Sequence, residues 1–160
     1  GPELYDAFSK TKDKHPDAKL IIVGCSPDIK DSRVEIVGRI PVIQTAAYYR
    51  RSSFFCMPTK REPFGVVFVE AMLNRLAVVA TNIGAVPDFV MKGRNGITVN
   101  VGDIEALKNA LEFMFDNPVK CMEMGNNAFE FAKENYTWEA VGKKISKEIR
   151  KRFNAAFQTP

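Results

Sequence analysis

The sequence is poor in the residues that most catalytic and metal chemistry draws on. Its 160 residues hold one histidine, His15, which precedes Pro16 in a polar turn. That placement reads as surface and argues against a Ser-His triad or a histidine metal site. Cysteine is sparse too: Cys25, Cys56 and Cys121 form an odd, widely spaced set without a CxxC pair. Buried, reduced thiols in a cytosolic compartment suit such a set better than a disulfide framework or a zinc site. No uninterrupted apolar run approaches the ~18 residues of a membrane span. The start lacks the charged, apolar and small-residue succession of a secretory signal, so the expected location is the cytoplasm. A large excess of one charge is also missing, since the net charge is +4. Nucleic acid is therefore not an expected partner, whereas an anionic small molecule is. HExxH, Walker A, GxGxxG and Asp-x-Asp patterns are all absent, which weakens P-loop, NAD-dependent and metal-bridged diphosphate chemistry. No metal and no other cofactor is expected.

What is present is a pattern of alternation. With 46% hydrophobic and 26% charged residues, the composition is that of an ordinary soluble α/β protein. Short apolar runs suited to buried parallel strands recur at residues 20–23, 34–37, 54–56, 77–80 and 97–99. Helical patterns cover residues 4–14, 43–51 and 64–73, so strands alternate with helices and a three-layer α/β/α arrangement around a parallel sheet follows. Beyond Val99 the pattern becomes wholly helical. Asp103 is an N-cap before Ile104, Leu107, Leu111 and Met114, and Asn117-Pro118 starts a second helix with Cys121, Met124, Ala128 and Phe131 on its apolar side. A third helix follows Thr137, with Trp138, Val141, Ile145 and Ile149 expected to face inward and Lys143, Lys144, Lys147, Arg150 and Lys151 opposite. That basic face reads either as a solvated surface or as a peripheral contact for anionic lipid. Without repeats or a low-complexity linker, residues 1–160 read as one domain.

Ligands of open parallel sheets bind beyond the carboxyl ends of the strands, which directs attention to the loops there. One of them, Met57-Pro-Thr-Lys-Arg-Glu-Pro-Phe-Gly65, leaves a strand and enters a helix at about Phe64. Pro63 tolerates a helix start and Gly65 permits close approach to the backbone, leaving the amides of Phe64, Gly65, Val66 and Val67 for an anion. Glu62 stands just before this helix and Glu70 eight residues later, up to ~12 Å apart along a helical axis. Carboxylates accept hydrogen bonds from vicinal diols, so one acid could hold a sugar and the other a ribose, with a diphosphate at the amides between them. The same residues also fit a plain account in which Glu70 is an exposed helix residue and Glu62 favours the helix dipole. A second loop, Thr81-Asn-Ile-Gly-Ala-Val-Pro-Asp88, signals only a turn and a helix start.

Together these motifs resemble the family 4 retaining glycosyltransferases, which share a GT-B fold of two Rossmann-like domains. The similarity runs through Phe55-Cys-Met-Pro-Thr, Glu62-Pro-Phe-Gly65, the Glu62 to Glu70 spacing with Glu70-Ala-Met72, Val78-Val-Ala-Thr81, Ile83-Gly-Ala-Val-Pro-Asp88, Asn95-Gly96 and Val101-Gly-Asp103. Upstream, His15-Pro-Asp-Ala-Lys-Leu-Ile-Ile-Val-Gly24 and Val34-Glu-Ile-Val-Gly38 resemble the family's first strands, so residues 4–135 are covered. The resemblance implies the C-terminal, donor-binding half of such an enzyme, with a nucleoside diphosphate sugar as substrate. It implies Glu70 on the ribose, Pro63, Phe64, Gly65 and Val66 at the donor sugar and phosphate, and Glu62 as the catalytic residue on the sugar hydroxyls. The base is implied near Gly38, Arg39 and Ile40, and the acceptor, a glycan or lipid-linked glycan, on an N-terminal domain that this chain lacks. Polysaccharide assembly at the inner membrane surface is a common role of the family.

The sequence departs from the family pattern at Arg75 and Ala77, where glycine and proline are usual, at Ala85 for the second turn glycine and at Asp88 for glutamate. The Gly-Arg…Lys-Gly element that supplies two cations to the diphosphate would precede Leu4. A chain without it is expected to bind donor weakly and to transfer nothing by itself. Two rival functions stay open at this level: a non-catalytic nucleotide- or partner-binding module of the same fold, and a GT-B epimerase that turns over without an acceptor.

Overall fold

The computed structural model describes residues 1–156. Strands β1 (Leu20–Val23), β2 (Val34–Gly38), β3 (Phe54–Met57), β4 (Ala77–Thr81) and β5 (Gly96–Val99) stand where the apolar runs predict them. They are accompanied by α1 (Pro2–Ser9), α2 (Val42–Arg51), α3 (Val66–Leu73), α4 (Val86–Phe89), α5 (Ile104–Asp116), α6 (Pro118–Tyr136) and α7 (Trp138–Ala156). All strand pairings are parallel, as crossover helices require. The expected sheet comes in two parts, a β1-β2 pair and a β3-β4-β5 trio. Both parts share a core, because Leu20 of β1 and Val34 of β2 pack on the same cluster as Phe54 of β3.

Central strand β4 is buried along its whole length. Successive side chains of a strand point to opposite faces, and β4 obeys this. Ala77 and Val79 join Leu107, Leu111, Met114 and Cys121 on one side, while Val78 and Ala80 join Phe68, Met72, Phe89 and Ala128 on the other. Strand β3 divides in the same way, Phe54 and Cys56 against Phe55 and Met57. The result is the predicted layering of helices on both faces of parallel strands. Each fully buried valine in such a strand contributes roughly 1.5–3 kcal/mol through burial. Helix α6 approaches closely enough that a Cβ at Gly125 would lie 2.1 Å from the Arg75 carbonyl oxygen.

Helix ends follow local chemistry. The Asp103 carboxylate accepts from the Ala106 amide at 2.9 Å and caps α5 as expected. Asn117 precedes Pro118 at the start of α6, but its side-chain amide donates back to the Phe113 carbonyl and does not cap α6. Helix α1 stops at Ser9 instead of reaching Lys14, because the Thr11 hydroxyl bonds the Phe8 carbonyl and the chain turns there.

Three expectations need correction. Trp138, Ile145 and Ile149 do not face inward: Trp138 is 94% exposed and the two isoleucines are exposed as well. Helix α7 leaves α6 through the extended residue Thr137 and packs mainly against α6, so its apolar stripe has no core element to meet. Cys25 is exposed in the loop after β1, whereas Cys121 is buried. Burial pushes the Cys56 thiol up to about 12, which keeps it protonated and inert. His15 is largely covered, its ring tilted against Phe115 with centroids 5.1 Å apart and its Nε2 3.3 Å from an Asp116 carboxylate oxygen.

Arg75 is the one non-glycine among the described residues at positive φ, 61°. That left-handed conformation is one that glycine adopts without strain, and it is where the resemblance expects a glycine. The guanidinium compensates by lying 3.9 Å from the Phe129 ring centroid and donating to Asn126 at 2.9 Å. Arg75→Ala keeps the left-handed backbone and loses both contacts, whereas Arg75→Gly loses the contacts and relieves the backbone. In urea denaturation Arg75→Ala should be less stable than Arg75→Gly by about 1 kcal/mol; equal stabilities would remove the strain argument.

Candidate functional site

Strand β3 delivers the chain into residues 58–65, which are shaped by their own side chains. The Thr59 hydroxyl donates to the Arg61 carbonyl and accepts from the Arg61 amide, closing a tight turn. From the end of β4, the Thr81 hydroxyl donates to the Thr59 carbonyl at 2.5 Å. The turn after β4 presses on the same loop, for a Cβ at Gly84 would lie 1.8 Å from the Glu62 carbonyl oxygen. Lys60 is tied to Glu3 of α1 at 3.0 Å. The loop that carries Glu62 is thus held from three sides.

Gly65 adopts φ 87° and serves as the N-cap residue of α3, so the helix begins at Val66, two positions later than Phe64, where the sequence places its start. Proline at 63 and this left-handed glycine keep residues 62–65 out of the helix. Phe68 donates its amide to the Gly65 carbonyl, and the Val66 and Val67 amides have no protein acceptor among the described residues. They form an exposed helix amino end with a partial positive charge. The Glu62 carboxyl carbon lies 3.3 Å from the position of a Gly65 Cβ, at this helix end, yet no side-chain hydrogen bond caps α3. Pro63, Phe64 and Val66 are exposed around it, with Phe64 edge-on to Tyr136.

Glu70 lies one turn further along α3, half-buried. The Tyr49 hydroxyl of α2 donates to its Oε2 at 3.2 Å and reaches the Val67 carbonyl at 3.4 Å. Burial first, and the Glu70 charge second, push the Tyr49 phenol well above its ordinary range. Oε1 of Glu70 accepts no hydrogen bond among the described residues. Gly38 is buried at φ 74°, its carbonyl accepting from the Gly24 amide, with Arg39 exposed and Ile40 half-buried beside it. No hydrogen bond or ion pair joins these three residues to Glu62 or Glu70 among the described residues. The structure therefore places Glu62, Gly65 and Val66 at the amino end of α3 and Glu70 one turn along the same helix, with Gly38, Arg39 and Ile40 at the end of β2.

Among the described residues no group of three or more His, Cys, Asp or Glu side chains is placed to hold a metal. A cavity of about 600 Å³ opens elsewhere, at the amino ends of β1, β3 and β4, beside Ala18, Ser53, Phe54 and Leu76. None of the site residues read from the sequence lines it.

Residues 2–131 match the family model described as Glycosyl transferases group 1. The chain belongs to this glycosyltransferase family. Among relatives, it is 33% identical over 107 residues to the lipopolysaccharide core biosynthesis mannosyltransferase LpcC of Rhizobium leguminosarum bv. viciae, covering 67% of this chain and 30% of that protein. It is 32% identical over 108 residues to the uncharacterized glycosyltransferase MJ1178 of Methanocaldococcus jannaschii, covering 68% of this chain and 30% of the relative. The structure of Anabaena Alr3699/HepE in complex with UDP superposes with a TM-score of 0.80 at 22% identity, over 93% of this chain and 44% of that one. The α/β Rossmann-like fold is that of the GT-B glycosyltransferases, and the chain spans less than half the length of each of these relatives.

Two contacts of this group 1 domain had no signal in the sequence. Tyr49 meets Glu70 across 21 residues, and no motif links them. Gly84 was read as a turn residue, and its pressure on Glu62 depends on how far apart β3 and β4 hold their loops. Gly84→Ala should cost about 1–3 kcal/mol more in urea denaturation than Gly102→Ala. Gly102 also has positive φ but nothing within 4 Å of its Cβ position, so it isolates the backbone contribution. Equal costs would mean that the Glu62 loop yields freely to Gly84.

Proposed function

We propose that this chain is the donor-binding half of a family 4 retaining glycosyltransferase and that the amino end of α3 carries a nucleoside diphosphate sugar. The observation that supports this most is the amino end of α3, where the Val66 and Val67 amides have no protein acceptor among the described residues, with Glu62 just before it and Glu70 one turn further along. An anionic diphosphate suits the amides, a vicinal diol suits each carboxylate, and among the described residues no cation pairs with either carboxylate. Glu70 takes the ribose, Glu62 the hydroxyls of the donor sugar, and the backbone from Pro63 to Val66 the sugar and phosphate. Gly38, Arg39 and Ile40 take the base.

In the full-length enzyme an N-terminal domain brings the acceptor, a glycan or lipid-linked glycan, and closes over a water-poor cleft. The bond from the anomeric carbon to the diphosphate oxygen breaks, the sugar passes through an oxocarbenium-like state, and the acceptor hydroxyl attacks the face that the diphosphate leaves, giving its proton to the departing diphosphate oxygen. The helix amides favour the charge developing on the departing diphosphate. No covalent nucleophile and no metal enters this scheme. Hexosyl transfer in the cytoplasm, at the inner membrane surface, belongs to the same proposal. Among the described residues no helix is long and apolar enough to cross a membrane.

Thermal unfolding with UDP, GDP and ADP and their common sugar conjugates tests the donor site. One base should be preferred, with ~2.7 kcal/mol of added stability at a hundred times Kd, and Glu70→Ala should abolish the gain. Absence of any shift at millimolar nucleotide, persisting after the upstream cationic element is joined to Leu4, would overturn the proposal in favour of a non-catalytic module.

A further inference from the structure

We propose that Tyr49 is a positioning residue for Glu70, orienting one carboxylate oxygen so that the other faces the ribose of a bound nucleotide. The proposal rests on the donor-site assignment above and deepens it. Its basis is geometric. Tyr49 projects from α2 onto α3 with its hydroxyl 3.2 Å from Glu70 Oε2, and its ring sits edge-on to Phe55 with centroids 5.8 Å apart. A phenylalanine would fill that ring position equally well, so the packing does not require the hydroxyl. The hydroxyl has two acceptors in reach, the Glu70 carboxylate and the Val67 carbonyl at 3.4 Å. The charged carboxylate is both the nearer and the stronger of the two.

A glutamate has three side-chain torsions, and the last of them is broad. An unrestrained Glu70 would therefore spend most of its time in orientations unsuited to chelating a diol. One hydrogen bond to Oε2 restricts the carboxylate before the ligand arrives, so less freedom is lost on binding. Each carboxylate oxygen has two acceptor positions, so Tyr49 leaves Oε1 untouched and Oε2 half free for the 2′- and 3′-hydroxyls. Burial and the neighbouring charge hold the phenol protonated far past neutral pH, so it remains a donor wherever the site works. Tyr49 touches Glu70 and not the ligand, which makes its effect specific to the ribose.

The test is calorimetric titration of the chain with UDP, GDP and ADP and with their 2′-deoxy counterparts, in wild type, Tyr49→Phe, Glu70→Ala and the double variant. Wild type should prefer the ribonucleotide. Tyr49→Phe should reduce that preference about fivefold by weakening the ribonucleotide alone. It should have no further effect in the Glu70→Ala background, because the two side chains act as one unit. An undiminished preference in Tyr49→Phe, with the preference lost in Glu70→Ala, would overturn the role of Tyr49 and leave the donor site standing. Equal weakening of ribo- and deoxynucleotides in Tyr49→Phe would overturn it as well, since it would mark a general structural role. Failure of wild type to bind any of the six nucleotides at millimolar concentration, persisting after the upstream cationic element is joined to it, would overturn the donor site, and the role of Tyr49 with it.

Discussion

The fold depends on the burial of β4 on both faces. All five residues from Ala77 to Thr81 are buried, and their alternation divides the interior into two cores, with α5 on one, α3 on the other and α6 contributing to both. The small side chains of Ala77 and Ala80 let helices approach the strand, while Val78 and Val79 fill the space above and below it. This constraint reaches the candidate site through the strand's last residue. Thr81 turns its hydroxyl to the Thr59 carbonyl, and three residues later Gly84 meets the Glu62 carbonyl. Displacement of β4 along its axis would therefore move the loop that carries Glu62.

Much of this was legible from residues alone, for identifiable reasons. Parallel strands read as short apolar runs bounded by turn residues, uninterrupted in β4, which is buried throughout, and broken in β2 by the exposed Glu35. The helix end at residues 62–66 was legible because proline and glycine have backbone requirements that the sequence displays. Its start was misjudged by two residues, since proline marks where a helix can begin but not where it does. The Tyr49 to Glu70 contact was illegible for a different reason. It joins two helices whose relative placement depends on the packing of β3 between them, and nothing local to either residue announces it.

Helix α7 shows the limit of periodicity. The spacing of Trp138, Val141, Ile145 and Ile149 states that one face is apolar, and the structure agrees that those residues share a helix. Periodicity is silent about whether the partner of that face belongs to the same compact unit. Here it does not, for Trp138 and both isoleucines remain exposed. The inward assignment assumed a partner that residues 1–137 do not supply.

The departures from the family pattern bear on which function the site supports, and their backbone angles decide how. Loss of a turn glycine at position 85 would damage a site only if that position needed positive φ. Ala85 sits at φ −82°, an ordinary helical value that alanine adopts freely. The neighbouring Gly84, at φ 56° and in contact with Glu62, is the residue whose replacement the loop could not absorb, and it is retained. Ala77 occupies a buried strand position with its neighbours packed around it, and Arg75 keeps a glycine-like φ at the expense of local strain. Ala77 and Ala85 therefore leave the backbone undisturbed, whereas Arg75 holds a left-handed conformation whose cost its contacts with Phe129 and Asn126 offset.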